Sequence, residues 1–513
     1  MSMTTVLDTI HSDPRGTAVP VENATPVNNH EVRADYEARR KIFPSRVQGF
    51  YRRLKWILVA VLLGIYWLTP WIRWDRGPHA PDQAVLLDLA HRRFYFFTIE
   101  IWPQEFYYVA GLLIMAGLGL FLVTSVAGRA WCGYACPQTV WTDLFIQVER
   151  WVEGDRNARM KLDAAPWTFT KWRKRLTVWA SWILISIATG GAWVFYFADA
   201  PTLAVEIATL QAAPTAYFTI LTLAATTFWL AGFMREQVCT YMCPWPRIQG
   251  TMLDENSLIV TYNDWRGEPR SRHSKKAIAQ GIDVGDCVDC NACVAACPMG
   301  IDIRDGQQLE CITCALCIDA CDTVMDKVGR PQGLISYSTL IDFEHQTQTT
   351  KTQGREAAKA EQKRVSLARM ATPRTILYFA LWAAIGLGML VVLFTRGHLD
   401  VTVLHDRAPL YTTLSDGSVR NGYTLKLASK TLEERPLELH LEGLEDAVMW
   451  TPENETRARS LSVIVPPDAV RDLRVFVSRP RGAAPDDFTF VVTDPDSGET
   501  VASQARFEAG AKR

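Results

Sequence analysis

The sequence lacks the motifs of nucleotide-dependent and haem-binding proteins. It contains no P-loop and no G-x-G-x-x-G after a strand-like segment, so no self-contained nucleotide or NAD(P)H site is supported. None of its nine histidines lies in a long apolar segment. Because a membrane b-type haem normally takes axial histidines from the surrounding helices, a cytochrome b is excluded.

Other features are absent as well. The formal net charge is −1 and no basic domain occurs, so we expect no nucleic-acid partner. Residues 1–50 carry no apolar core of the kind found in signal peptides, so we expect no cleavable leader. Residues 398–513 contain no cysteine, which excludes a disulfide framework in that part of the chain.

Long apolar segments are present, and they predict an integral membrane protein. A helix needs roughly 20 apolar residues to cross a bilayer. Five segments meet this requirement, so we predict a bundle of about five transmembrane helices. The segments are 55–74, 105–127, 175–197, 214–234 and 375–395.

The basic residues between these segments predict the orientation. Residues 33–55 hold eight Lys and Arg, residues 128–175 hold nine, and residues 198–213 hold none. Residues 235–276 and 355–374 are also basic. Since cytoplasmic flanks are enriched in Lys and Arg, we expect an inner-membrane protein with a cytoplasmic N-terminus and residues 398–513 in the periplasm.

Eight of the twelve cysteines form two copies of one motif. Each copy has the spacing C-x2-C-x2-C-x3-C, which is typical of bacterial ferredoxins with two [4Fe-4S] clusters. In that arrangement the fourth cysteine of each copy binds the other cluster. The first predicted ligand set is Cys287, Cys290, Cys293 and Cys321, and the second is Cys311, Cys314, Cys317 and Cys297.

Two details bear on the cluster prediction. Paired C-x2-C motifs also suit tetrahedral zinc, but a zinc site needs no exchange of ligands between copies, so zinc fits poorly. Proline follows the first copy, whereas Asp322 follows the second. This departure removes no ligand and bears only on the loop and the potential of the second cluster.

The other four cysteines form a second internal repeat. Cys132 with Cys136, and Cys239 with Cys243, both read C-x-Y-x-C-P just after an apolar segment. Residues i and i+4 of a helix share one face, so each pair can present two sulfurs to one ion. Pro137 and Pro244 should end the preceding helix.

Thiolate ligands favour Cu(I) and zinc, while buried thiols, a redox disulfide, structural zinc and a further iron–sulfur cluster remain alternatives. We expect Tyr134 and Tyr241 to act as interfacial anchors, with shielding of the site as the alternative.

The remaining segments complete the predicted organisation. Residues 1–50 should form a mobile cytoplasmic tail, 51–255 a four-helix membrane domain, and 256–345 the ferredoxin domain. Residues 346–373 form a polar linker that suits a lipid surface, and 374–397 the fifth transmembrane helix. Residues 398–513 alternate between apolar and polar residues in five short runs, which predicts a β-sandwich; the runs are 423–427, 437–441, 461–465, 473–477 and 488–492.

The whole chain resembles the CcoG/FixG/RdxA family of accessory proteins of cbb3-type cytochrome c oxidase. The segments that carry the resemblance are WCGYACPQTVWTDLF, VCTYMCPWPRIQ, CPMGIDIRDG, LECITCALCIDACD and LSDGSVRNGYTLK. The resemblance implies an Ig-like C-terminal domain and reduction of Cu(II) to Cu(I) during assembly of the oxidase. It places copper at Cys132, Cys136, Cys239 and Cys243, and the clusters at the eight ferredoxin cysteines.

The implied partners are a cytoplasmic electron donor, a copper transporter or chaperone, the oxidase subunits and membrane lipid. Two alternatives stay open. A quinol-linked electron conduit would use the cysteine pairs for structure or electron transfer, and an assembly scaffold would use the C-terminal sandwich for docking.

Overall fold

The computed structural model describes residues 10–12, 18–27, 39–77, 80–272, 280–281, 283–361, 371–430, 434–467 and 469–509. Parts of the predicted tail and of the predicted 346–373 linker lie outside these residues. The chain folds into two units. The first comprises residues 1–72 and 83–387, and the second comprises residues 73–82 and 388–513.

Within the described residues, five helices are long and apolar enough to cross a membrane, as predicted. The first and third begin five and six residues earlier than predicted, at Phe50 and Phe169. The five helical segments are Phe50–Trp71, Pro103–Ala127, Phe169–Val194, Pro214–Met234 and Pro373–Thr395.

The α-helices are numbered here in chain order. They are α1 Phe50–Leu68, α2 Tyr107–Ala127, α3 Ala130–Tyr134, α4 Pro137–Glu153, α5 Arg156–Ala164, α6 Phe169–Val194, α7 Ala200–Ala208, α8 Pro214–Thr227, α9 Trp245–Met252, α10 Asp264–Gly267, α11 Ala292–Ala296, α12 Leu316–Val328, α13 Leu340–Gln353, α14 Arg355–Glu361 and α15 Pro373–Thr395. Two π-helical segments, Phe228–Met234 and Val238–Met242, follow α8. Short 3₁₀ turns occupy Thr69–Trp71, Pro103–Glu105 and Ile303–Asp305.

A side chain from the cysteine-rich segment determines where α1 begins. The carboxylate of Asp319 accepts the backbone N–H groups of Tyr51 at 3.2 Å and Arg52 at 2.7 Å. These N–H groups have no partner within the helix, so the carboxylate caps its N-terminus. A Cβ atom at Gly49 would lie 2.2 Å from the Asp319 carboxyl carbon, so only glycine permits this approach. The contact joins α12 to the first membrane helix.

Buried ion pairs hold α4 against its neighbours. Asp143 accepts from Arg52 of α1 at 2.9 Å, and Glu149 pairs with Arg159 at 2.9 Å and Arg235 at 2.7 Å. These side chains are all buried, and each carboxylate lies opposite a cation, which offsets the cost of removing the charges from water. Since α4 begins directly after Cys136, the network also fixes the first cysteine pair.

Part of the predicted tail is attached to the cysteine-rich segment. The N–H of Glu22 donates to the carbonyl of Cys290, that of Val27 to Gly300, and that of Ser45 to Ala295. The prediction of a mobile tail is therefore wrong for residues 18–27 and 39–49. The polar composition gave no hint of this, because these bonds use backbone groups.

The first unit also contains short sheets. Strands β1 Ile10–Ser12 and β2 Ala18–Pro20 pair, and β3 Val85–Asp88, β4 Arg93–Phe96 and β5 Ile99–Ile101 form an antiparallel sheet between the first two membrane helices. This second sheet was not predicted. Strands β6 Ile259–Tyr262 and β7 Ile335–Ser338 bracket the eight ferredoxin cysteines and pair with each other.

The second unit is a β-sandwich, as predicted. One sheet has the order β12-β14-β10-β8, with β9 on the edge of β10, and the other has the order β13-β11-β15-β16. Alternate residues such as Tyr423, Leu425 and Leu427 face the core. The strands are β8 Leu399–His405, β9 Thr412–Thr413, β10 Val419–Ser429, β11 Arg435–Glu442, β12 Val448–Trp450, β13 Ser460–Val465, β14 Ala469–Arg479, β15 Asp486–Thr493 and β16 Thr500–Phe507.

Candidate functional site

The two ferredoxin loops have the same backbone conformation. In each loop, the residues on both sides of the second cysteine adopt positive φ: Asp289 and Asn291 around Cys290, and Thr313 and Ala315 around Cys314, with φ between 49° and 60°. Positive φ is costly for residues other than glycine, and most costly for a β-branched residue such as Thr313. The repeated strain curls each loop so that its first three thiols face inward.

The structure brings the first predicted ligand set together. Cys287, Cys290, Cys293 and Cys321 line one cavity, whose wall also includes Tyr262, Arg304 and Met325. Cys321 comes from the second sequence copy, so the grouping has the exchange of fourth ligands that the spacing predicts.

The second predicted set lines another cavity. Cys297, Cys311, Cys314 and Cys317 surround it together with apolar residues that include Met299, Ile301 and Ile312. Cys293 of the first set also reaches this cavity, so the two cavities are neighbours.

The thiols suit anionic metal clusters. Burial raises the pKa of Cys311 to about 11 and that of Cys297 to about 12, and it also raises the pKa values of Cys293, Cys317 and Cys321. Thiols so buried and crowded ionise only when a metal replaces their protons. Two sets of four sulfurs in apolar surroundings therefore fit two [4Fe-4S] clusters. When bound, such clusters supply one-electron transfer.

Asp322 explains a difference between the two copies. Helix α11 has five residues and ends before Cys297, which Pro298 holds in an extended conformation. Helix α12 continues through Cys321 for thirteen residues, since aspartate allows the helix to proceed. Asp322 also accepts the N–H of Gly333 at 2.9 Å. The substitution lengthens a helix and leaves the sulfur set intact.

The first C-x-Y-x-C-P motif lies directly on the second ferredoxin loop. Cys132 is on the short helix α3, and Cys136 is extended, with ψ 129°, before Pro137 opens α4. A Cβ at Gly133 would lie 2.6 Å from the Ile312 carbonyl oxygen. The Tyr134 hydroxyl donates to the carbonyl of Cys314 at 3.1 Å.

The second motif has a looser environment. Cys239 lies in a π-helical turn, and Cys243 is extended, with ψ 125°, before Pro244. Arg235, just upstream, has a φ of 46° and separates the two π segments. In both motifs the helix ends before the second cysteine, at Tyr134 in the first and at Met242 in the second, and that cysteine is extended, as expected of a residue before proline. Isolated π-helical turns occur frequently at functional sites.

The four cysteines of the two motifs are brought together. Burial, together with the neighbouring thiols of Cys136, Cys132 and Cys243, raises the pKa of Cys239 to about 12. Cys132 and Cys239 also pack in one apolar cluster with Cys297, Cys311 and Cys314 of the second ferredoxin set. A four-cysteine group therefore adjoins the second cavity.

The spacing of these thiols limits what they can bind as they stand. Among the residues that the structure describes, no three His, Cys, Asp or Glu side chains are close enough to hold one metal ion. A [4Fe-4S] cubane is wider than a single metal ion, so the sulfur atoms that bind a cubane lie farther apart than those that bind one ion. Cu(I) can be held by two thiolates, and thiolates are the ligands it prefers.

The expectation that both tyrosines anchor the protein at the membrane interface is wrong for Tyr134. Its side chain is 8% exposed and is directed at the ferredoxin loop, whereas Tyr241 is 81% exposed. The Tyr337 hydroxyl similarly donates to the Thr313 carbonyl at 2.8 Å. A buried tyrosine and a partly buried one therefore hold successive carbonyls of one cluster loop.

Sequence reasoning missed two side chains at the four-cysteine group. Gln249 is fully buried; its Oε1 accepts from the Cys132 thiol at 3.1 Å, and its Nε2 donates to Thr124 at 3.2 Å. The Arg129 guanidinium opposes the effect of burial on the pKa values of both Cys132 and Cys311. Neither residue falls at a recognisable ligand spacing, although Gln249 is the last residue of the segment VCTYMCPWPRIQ that carries the family resemblance.

The fold and the cysteine sets define a membrane iron–sulfur protein. Comparisons with known proteins agree. Residues 234–340 match the 4Fe-4S dicluster domain family, residues 109–157 match a 4Fe-4S binding domain family, and residues 389–510 match the family described as the Ig-like fold at the C-terminus of FixG.

Three relatives resemble the chain over most of its length. The nitrogen fixation protein FixG of Rhizobium meliloti is 58% identical, covering 94% of this chain and 96% of its own. Proteins RdxB and RdxA of Cereibacter sphaeroides are 57% and 51% identical, covering 84% and 92% of this chain and 90% and 98% of their own. The chain belongs to the FixG/RdxA family, and it is an iron–sulfur oxidoreductase with two clusters and an Ig-like domain.

Proposed function

We propose that this protein reduces Cu(II) to Cu(I) at the four cysteines Cys132, Cys136, Cys239 and Cys243. The observation that carries the proposal is their position: Cys132 and Cys239 pack against Cys297, Cys311 and Cys314, so a soft-metal site adjoins an electron-transfer site. Copper is the substrate. Each Cu(II) takes up one electron, and the product Cu(I) is favoured by the same thiolates.

The electron comes from a low-potential donor on the cytoplasmic side. The packing of the two cysteine sets supports one order of electron transfer between them. Only the second set shares an apolar cluster with the four-cysteine group. The first set is packed with residues such as Tyr262 and Met325. Electrons therefore enter on the side of the first set and reach copper from the side of Cys311 and Cys314.

The basic flanks of the membrane helices support a cytoplasmic location for the reaction. The ferredoxin domain lies in the cytoplasm and residues 398–513 in the periplasm, in the inner membrane of the cell. A copper transporter or chaperone with competing thiolates delivers or accepts the metal. The Cu(I) then serves assembly of a cbb3-type cytochrome c oxidase, whose subunits contact this protein.

One observation favours a second candidate. Residues 109–157, which match a 4Fe-4S binding domain family, include Cys132 and Cys136. On this basis the four cysteines would hold a third iron–sulfur cluster, and the protein would be an electron conduit, with quinol as the donor class. Copper would then bind elsewhere or not at all.

Metal analysis of anaerobically purified protein separates the candidates. Copper reduction predicts eight iron atoms per chain, and a third cluster predicts twelve. Dithionite-reduced protein, freed of excess reductant, is then mixed with Cu(II). We expect the cluster absorbance to return to its oxidised form in step with chelator-trapped Cu(I).

Variants connect the reaction with the site. Cys132→Ser combined with Cys239→Ser should abolish Cu(I) formation while eight iron atoms remain. Tyr241→Phe, in the same motif but exposed, is the matched control and should behave as the parent protein. Copper reduction that survives in the double variant contradicts the proposal. If no reduction occurs even in the parent, the conduit or a non-catalytic assembly scaffold is favoured.

A further inference from the structure

Arg129 is a buried cation between two sulfur sites. It lies two residues after the end of α2 and is 5% exposed, so its side chain turns into the protein instead of toward lipid headgroups. One terminal nitrogen donates to the carbonyl of Leu309, two residues before Cys311. The Nε atom is buried and has no hydrogen-bond partner.

The surroundings of Arg129 place it near both sites. Its positive charge lowers the pKa of Cys132 of the four-cysteine group and that of Cys311 of the second ferredoxin set, against the effect of burial, so it lies near both. Within the part of the chain that the structure describes, no carboxylate forms an ion pair with it. A buried charge without a counter-ion is strongly unfavourable.

The arginine at the other cavity has a different environment. Arg304 lines the cavity of the first set, but it pairs with Asp302 at 2.6 Å and with Asp289 at 2.7 Å. Two carboxylates therefore already offset its charge. Both arginines lie beside a cysteine set. Carboxylates neutralise the charge of Arg304, whereas no carboxylate among the described residues neutralises that of Arg129.

We propose that the counter-ion of Arg129 is the metal–thiolate charge itself, shared between the second ferredoxin set and the four-cysteine group. A cluster held by four thiolates is anionic, and so is Cu(I) held by two. A fixed cation between them stabilises the reduced, more negative form of the cluster and the metal-bound form of the group. Arg129 is thus a positioning residue that couples the two sites, an assignment that rests on the proposed metal binding at the four cysteines.

Redox titration and metal binding test this coupling in the intact, cluster-loaded protein. Arg129→Gln should shift the midpoint potential of one of the two clusters to a more negative value without changing the iron content. It should also weaken Cu(I) binding, measured against a competing chelator, by tenfold or more. Arg129→Lys, which keeps a charge, should restore most of both properties.

Arg247→Gln is the matched control. Arg247 is exposed on α9, so its loss should leave Cu(I) binding and both potentials unchanged. The proposal is overturned if Arg129→Gln leaves both potentials and Cu(I) affinity unchanged, or if Arg129→Gln and Arg129→Lys lose iron equally, which would indicate a purely structural role. The potentials are measured without copper, so this test can succeed even if the protein proves unable to reduce Cu(II).

Discussion

The two C-x-Y-x-C-P motifs have the same spacing and different surroundings. In the first, the tyrosine is 8% exposed and bonds to a cluster loop; in the second, it is 81% exposed. The first has Gly133 between cysteine and tyrosine, pressed against Ile312, and the second has Thr240 there, whose hydroxyl donates to the Glu236 carbonyl within its own turn. The first repeat is therefore hydrogen-bonded to a cluster loop, whereas the second contacts the same domain through apolar packing of Cys239 and forms its hydrogen bond within its own turn.

This difference shows what a short repeat does and does not encode. Both motifs place an extended cysteine before a proline that opens the next helix. That feature is local and follows from proline geometry. The attachment of one motif to residues about 180 positions away depends on a single missing side chain, at Gly133.

The largest effect should come from Gly133→Ala. The added methyl group would overlap the Ile312 carbonyl, so either the motif or the cluster loop must move. Overpacking of this kind typically costs about 1–3 kcal/mol. We expect loss of iron from the second set, measured as iron per chain and as a lower temperature for the loss of cluster absorbance.

The corresponding change in the second motif is Thr240→Ala, which should leave iron content and thermal behaviour near those of the parent. Equal behaviour of the two variants would show that Gly133 is not the attachment point.

A smaller effect is expected for Tyr134→Phe. The variant removes the hydroxyl that donates to the Cys314 carbonyl, which typically destabilises a protein by about 1 kcal/mol. The loop that carries Cys314 should become more mobile, with a change in the electron paramagnetic resonance signal of one cluster only. Tyr241→Phe should leave the spectrum unaltered, and a matching change there would remove the distinction between the motifs.

The smallest effect should follow Gln138→Leu. The Gln138 amide donates to the carbonyls of Leu230 at 2.9 Å and Arg235 at 3.2 Å, so the first motif supports the chain that leads into the second. Both carbonyls keep a backbone donor, so we expect a cost of only about 0.5 kcal/mol.

Hydrogen exchange can detect this loosening. The amides of residues 238–243 should exchange roughly twofold faster in Gln138→Leu, while those of residues 312–314 stay as they were. Trp245→Leu, at the corresponding position of the second motif, serves as the control for a change in side-chain bulk. Faster exchange in residues 312–314 as well would mean that the two motifs do not loosen independently.

The sequence was sufficient where the relevant pattern is local. Apolar length identified five helices, period-two alternation identified five strands of the sandwich, and cysteine spacing predicted which thiols share a cavity. It missed β8, β9, β12 and β16; in β16, Ala502 and Ala505 weaken the apolar pattern. It also missed the attachment of residues 18–27 and 39–49, which uses backbone groups that any residue possesses.

Tertiary structure alone decided how the sulfur sites are arranged. Four cysteines spread over more than a hundred residues meet beside the second ferredoxin loop, and Arg129 reaches the carbonyl of Leu309 across a separation of 180 residues. Residue type and spacing determined how many sulfurs there are and how each loop curls, because those depend on short-range geometry. Which sites adjoin, and which arginine keeps an uncompensated charge, depends on contacts between distant segments, and these form only when the whole unit packs.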